Sequence, residues 1–157
     1  MLHTLFVVLH ITTAAAWFGL GLRLAGKART VLSLDGSAAA ALANDTRSTV
    51  KWMNGFIVLT LVFAYASFFY EGGFAGYPPQ YHAALTLMLV LVGVQFLLIR
   101  PGWNSLADAV EDGADAAGKA ADSARKKVAI GTGIGHLLWV VLLVLMYFDT
   151  LIRPFFV

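Results

Sequence analysis

Hydrophobic positions along this chain come in long runs rather than at helical or strand spacing. Four stretches, Leu2–Leu22, Trp52–Tyr70, Tyr81–Ile99 and Val128–Phe148, contain no Lys, Arg, Asp or Glu. An α-helix rises about 1.5 Å per residue, so about 20 apolar residues cross a hydrocarbon core of about 30 Å. Each run has that length. The pattern predicts an all-α membrane protein, one four-transmembrane-helix bundle over residues 1–157.

The intervening segments read as loops at 23–51 and 100–127 and as a tight turn at "EGGFAGYPPQ" (71–80), where Gly and Pro end the second helix. A short Ala-rich helix is expected within 33–44. "SLAD", Ser105 to Asp108, fits a capping box, predicting a surface helix over 103–127 that runs into the fourth span.

Charge adds orientation. Ten of the eleven basic residues fall in the two long loops, leaving Arg153 alone on the other side. The positive-inside rule makes those loops cytoplasmic and both termini external. No basic residue precedes the first span, so that span is expected to stay as a helix rather than leave as a signal peptide. Composition agrees: 59% of residues are hydrophobic and 13% charged, and the mean hydropathy is +0.77, against about a quarter charged in a soluble domain. The chain has no cysteine, which excludes disulfides, thiolate metal sites and c-type haem attachment. No basic segment interleaved with aromatics suggests nucleic-acid binding.

The candidate chemistry lies in four histidines. His10 is about a third of the way into the first span, and His136 a similar distance into the fourth from its opposite end. Their depths are expected to differ by roughly 6 Å. His3 and His82 fall near the external interface. Ionisable groups inside a membrane are costly and usually face the bundle interior. A lone histidine there is explained by an interhelical hydrogen bond; two on different helices suggest a shared ligand, and imidazole is a common ligand of haem iron. His3, His10 and Trp17 recur every seven residues and share one face of the first helix. His136 follows Gly131, Gly133 and Gly135, which would leave room for a flat group or serve as a helix-packing motif. His82, Thr86, Leu89 and Gly93 form a polar and small stripe on the third helix.

The pattern of His10, Trp17 and Gly19 (H-x6-W-x-G) resembles the first helix of a superfamily of small bacterial four-helix membrane proteins. It includes the copper-resistance D-type proteins and the HemJ-type protoporphyrinogen oxidases. The third span, opening at His82 after a Pro-containing loop, is similar to the corresponding helix. The resemblance implies haem b and a functional histidine at His10. The HemJ-type lysine two residues after the third helix's histidine is Ala84 here, so the resemblance implies a haem-bearing scaffold rather than that reaction.

These observations lead to an expectation of a b-type haem protein of the bacterial inner membrane, an electron-transfer protein or membrane oxidoreductase. His10 and His136 are the expected axial ligands, with His82 the rival partner of His10, and His82 with His3 a shallower haem or metal site. Gly133 and Gly135 would make room for the macrocycle, and Trp17 and Trp139 would pack on it. Quinol or a redox partner in the membrane would exchange the electron, and glycine-lined faces would permit a homo-oligomer. The competing readings are copper or other metal-ion transport without haem, and a non-catalytic subunit of a larger membrane complex.

Overall fold

The computed structural model describes residues 1–112, 118–151 and 153–155. Its elements are α1 (Leu2–Gly21), α2 (Leu24–Ser33), α3 (Gly36–Tyr70), α4 (Pro79–Val94), α5 (Arg100–Glu111), α6 (Lys119–Met146) and the short α7 (Phe148–Leu151). A π-helical turn, Gln95–Ile99, joins α4 to α5. Four helical stretches are long and apolar enough to cross a membrane: Leu2–Ser33, Gly36–Tyr70, Pro79–Glu111 and Lys119–Met146. The protein is an all-α, four-helix membrane protein.

Polarity is distributed as lipid requires. Leu5, Val8 and Ile11 of α1, Val58 and Val62 of α3, Val90 and Leu97 around α4, and Ile130, Leu137 and Val140 of α6 are exposed. Six polar side chains, by contrast, are inside: Thr13, Thr46, Thr60, Ser67, Gln95 and Thr132 are buried. Between helices in lipid there is little hydrophobic driving force, so close packing of small residues and interhelical hydrogen bonds hold the bundle together.

The helices outrun the apolar runs. The segments expected as loops at 23–51 and 100–127 are largely helical: α2, the first turns of α3, α5 and the start of α6 continue the bundle beyond the spans. Ala28, Val31, Ala43, Leu106, Ala107, Ala121 and Ala124 form its core, and the buried Trp103 Nε1 donates to Ala43 O at 3.1 Å. The expected Ala-rich helix at 33–44 is thus the beginning of a 35-residue α3. Ser105 lies in mid-α5 and caps nothing, because α5 begins at Arg100 directly from the π turn. The predicted surface helix over 103–127 is instead two helices, α5 and α6; residues 113–117 of that prediction lie outside the described residues.

Pro101 explains the π turn. Proline donates no N–H and its ring presses on the carbonyl four residues earlier; the wide turn immediately before it absorbs both. The turn after α3 forms where expected. Gly72 and Gly73 have φ of +97° and +63°, and a side chain at Gly76 would collide with the Glu71 carbonyl.

The glycines before His136 divide by role. A Cβ at Gly131 would meet Ile99 Cγ1 at 2.9 Å and the Ile99 backbone N at 3.3 Å, whereas Gly133 has nothing within 4 Å. Gly131→Ala is therefore expected to lower stability by about 1–3 kcal/mol, the usual cost of overpacking. Gly133→Ala should leave it unchanged or raised. Unfolding midpoints of the two variants in detergent check this.

Candidate functional site

In the half of the bundle nearer the α3–α4 turn, α1, α3, α4 and α6 line a cavity of about 600 Å³. That lies within the range of ligand-binding sites, about 300–1,000 Å³. Small residues make the room: Ala14, Ala15, Ala64 and Ala84 line it. Its rim carries His3, Glu71, Tyr77 and Tyr81, and Trp17, Ile57 and Leu91 lie at its deep end. Along α1 the distance from His3 to Trp17 is about 21 Å at the helical rise.

His3, His10 and Trp17 all line this cavity, so the seven-residue spacing on α1 placed them correctly on one face. His10 sits at mid-depth. Its Nδ1 lies 3.0 Å from the Thr60 carbonyl oxygen, and a carbonyl only accepts, so Nδ1 carries the proton. Nε2 is then the lone-pair nitrogen, on a residue of the cavity wall. Thr60 is itself fixed, its hydroxyl contacting Phe56 O at 2.7 Å and Thr13 Oγ1 at 3.0 Å. This shell holds the imidazole in one tautomer and orientation, as partners of metal-ligating histidines do.

The expected partner of His10 is elsewhere. The ring of His136 packs edge-on to Phe18, with ring centres 4.9 Å apart, and a Cβ on Gly21 would meet its Nε2 at 2.9 Å. Gly21 is 11 residues beyond His10 along α1, roughly 16 Å at the helical rise rather than the expected 6 Å. Apolar runs matched in length need not be matched in level, because the packing of one helix on another sets the offset. His136 Nε2 is buried without a hydrogen-bond partner, but the α1 backbone occupies the space before it. The structure does not bring His10 and His136 together.

The other predicted residues separate in the same way. Trp139 lines the cavity and stacks on Phe18 with ring centres 4.3 Å apart. Gly135 makes room, but for the rim of Trp17: a Cβ there would meet Cη2 at 2.9 Å. Gly133 faces open space. His82 packs edge-on to Phe68 and Phe74, with Nε2 buried and unpartnered; it is neither on the cavity wall nor paired with His3. The stripe of Thr86, Leu89 and Gly93 faces outward. The inner face of α4 is Ala84, Met88 and Leu91. No cluster of three or more His, Asp or Glu able to hold a metal ion occurs among the described residues.

Sequence reasoning missed a polar chain. Trp17 Nε1 donates to Gln95 Oε1 at 2.9 Å, and Gln95 Nε2 donates to Asn54 Oδ1 at 2.8 Å. Gln95, fully buried, sits at the first residue of the π turn. The signal that could have found it was an amide in an otherwise apolar run, as informative in lipid as a histidine. At the rim, Glu71 bridges His3 Nδ1 at 2.8 Å and the Tyr77 hydroxyl at 2.9 Å.

No family model matches the chain, and neither a curated protein nor a solved structure matches it.

Replacing Gln95 by Leu removes the acceptor of Trp17 and the donor to Asn54. A loss of about 1–3 kcal/mol is expected, the cost of an unsatisfied buried donor. Trp17→Phe in the Gln95→Leu background should cost less than it does alone, as a double-mutant cycle on unfolding midpoints would show. The rim gives a pH dependence. Burial, then the hydrogen bond to Glu71 and its charge, push the Tyr77 hydroxyl from 10 up to about 12. A phenol whose folded value is raised stays protonated longer in the folded state, so its stabilisation is full below pH 10 and lost as pH rises from 10 to about 12. Tyr77→Phe should flatten that part of a stability–pH profile.

Proposed function

We propose that this is a b-type haem protein of the bacterial inner membrane, with haem seated in the 600 Å³ cavity and held by His10. One observation carries the reading. A histidine at mid-cavity has its Nδ1–H committed to the Thr60 carbonyl, which leaves Nε2 as the free ligand atom. Thr13 and Thr60 brace that arrangement from behind, and Trp17, Leu91 and Trp139 supply apolar walls. Haem would supply one-electron chemistry in this site.

The second coordination position is revised from the sequence expectation. His136 lies against Gly21 and His82 between Phe68 and Phe74, so neither fits as the partner. Met88 fits better. It lines the same cavity from α4, as His10 does from α1. Thioether with imidazole is an established pair of haem ligands and raises the reduction potential.

The excess of Lys and Arg in 23–51 and 100–127 supports a cytoplasmic placement of that end, which would turn the cavity rim to the periplasm. Electron exchange with quinol, or with a redox partner in the membrane, would take place at this cavity.

The test is the visible spectrum of the detergent-solubilised protein, oxidised and dithionite-reduced. A b-type spectrum is expected, lost in His10→Ala and kept in His136→Ala and His82→Ala. Met88→Leu should convert a six-coordinate to a five-coordinate spectrum. A protein that stays colourless after haem reconstitution overturns the reading, and loss of haem in His136→Ala but not His10→Ala overturns the assignment of the ligand.

A further inference from the structure

A second cavity, of about 330 Å³, opens at the opposite, basic end of the bundle. Arg47, Lys51 and Asn54 line it from α3, and Arg100, Asn104 and Asp108 from α5. The spacings i, i+4, i+7 and i, i+4, i+8 put each trio on one helical face, and α3 and α5 pack directly on each other. Three cations thus converge on a concavity that holds one carboxylate.

Their local partners leave the positive charge largely unspent. Arg47 donates through Nη2 to Asp108 Oδ1, with Glu111 3.9 Å away. Its Nε, however, is buried and has no acceptor. Neither Lys51 nor Arg100 has a carboxylate partner among the described residues. The Arg100 guanidinium lies over the Phe96 ring, 5.8 Å from its centre. Asn54 uses its Oδ1 to accept from Gln95, which leaves its amide N–H groups as donors. Asp108 apart, the polar lining can donate to an anion.

Position narrows the chemistry. Lys51 immediately precedes the apolar run that starts at Trp52, and Arg100 immediately follows the one that ends at Ile99. Both cations therefore stand where hydrocarbon gives way to water. Trp52, beside Lys51, is 64% exposed and stacks on Phe56, as aromatic residues do at the headgroup level. We propose that this pocket binds a phosphate-bearing anion, the chemistry shared by an anionic phospholipid headgroup and free phosphate. Arg47 and Arg100 present forked donors to the phosphoryl oxygens, and Lys51 adds a point charge. Basic pockets between helices at a membrane surface bind such headgroups. The assignment is independent of what the larger cavity holds.

The test titrates the full-length, detergent-solubilised protein with phosphatidylglycerol, with phosphatidylcholine, and separately with inorganic phosphate. Native mass spectrometry reads the lipids and calorimetry the phosphate. Preferential retention of phosphatidylglycerol is expected. Lys51→Gln with Arg100→Gln should weaken it about thirtyfold, about fivefold for each lost cation, while the charge-matched Arg23→Gln with Arg29→Gln should not. Phosphate binding lost in the same pocket variant, without a lipid preference, would assign the site to free phosphate. Asp108→Asn, which removes the one carboxylate, should tighten binding and guards against misfolding of the first variant. Equal loss in the pocket and charge-matched variants overturns the proposal, as does a wild-type protein that binds neither anion.

Discussion

The bundle depends on how Trp17 is seated. Its indole is almost wholly buried at the boundary between the open and closed halves of the molecule. The ring rim fits against Gly135 of α6, and its N–H is taken by Gln95, which in turn reaches Asn54 of α3. One side chain of α1 therefore ties together the three other spanning helices. In hydrocarbon such a bond is worth only about 0.6–2 kcal/mol, but an indole N–H left without an acceptor would cost more. Placing a glycine, a glutamine and an asparagine around one tryptophan thus fixes both the level and the rotation of four helices.

On one side of that point the bundle holds the cavity, and on the other its core is filled. Towards the α3–α4 turn, alanines on three helices leave a void that the aromatic residues border rather than fill. Glu71 links His3 to Tyr77 at the rim, so the open end is tied at its margin. His10 stands midway, with its ring orientation fixed from α3 by Thr60. In the other direction, alanines of α2, α3, α5 and α6 share one buried core with Trp103, which continues past the apolar segments. A cavity at one end and a rigid extension at the other give the molecule two different ends, and the basic pocket between α3 and α5 belongs to the second.

The histidines show why level matters as much as type. His136 and His10 look equivalent when each is measured from the end of its own apolar run. Counting along each run leaves open how the helices pack against one another, and here Gly21 of α1 lies against His136. The glycines before His136 receive Trp17 and Ile99 instead of a flat cofactor. His82 is turned towards Phe68 and Phe74, since α4 presents Ala84, Met88 and Leu91 to the interior.

The sequence by itself determined whatever depends on transfer between water and lipid: four uncharged runs of sufficient length, hence four helices, and the clustering of Lys and Arg at one end. Helical periodicity also determined which residues of a single element share a side, so His3, His10 and Trp17 were correctly placed on a common face. The tight turn at Gly72–Gly76 was legible because backbone geometry demanded those residues. Only the tertiary structure decided which faces meet and at what level. A uniformly apolar helix has almost no amphipathic signal to show its inner side, so Thr86 and Gly93 read as interior and face outward, while Gln95 and Asn54 passed unnoticed. Rotation and register there are set by the fit of Trp17 to Gly135 and of Ile99 to Gly131, contacts between residues far apart in the chain that no periodicity within one helix encodes.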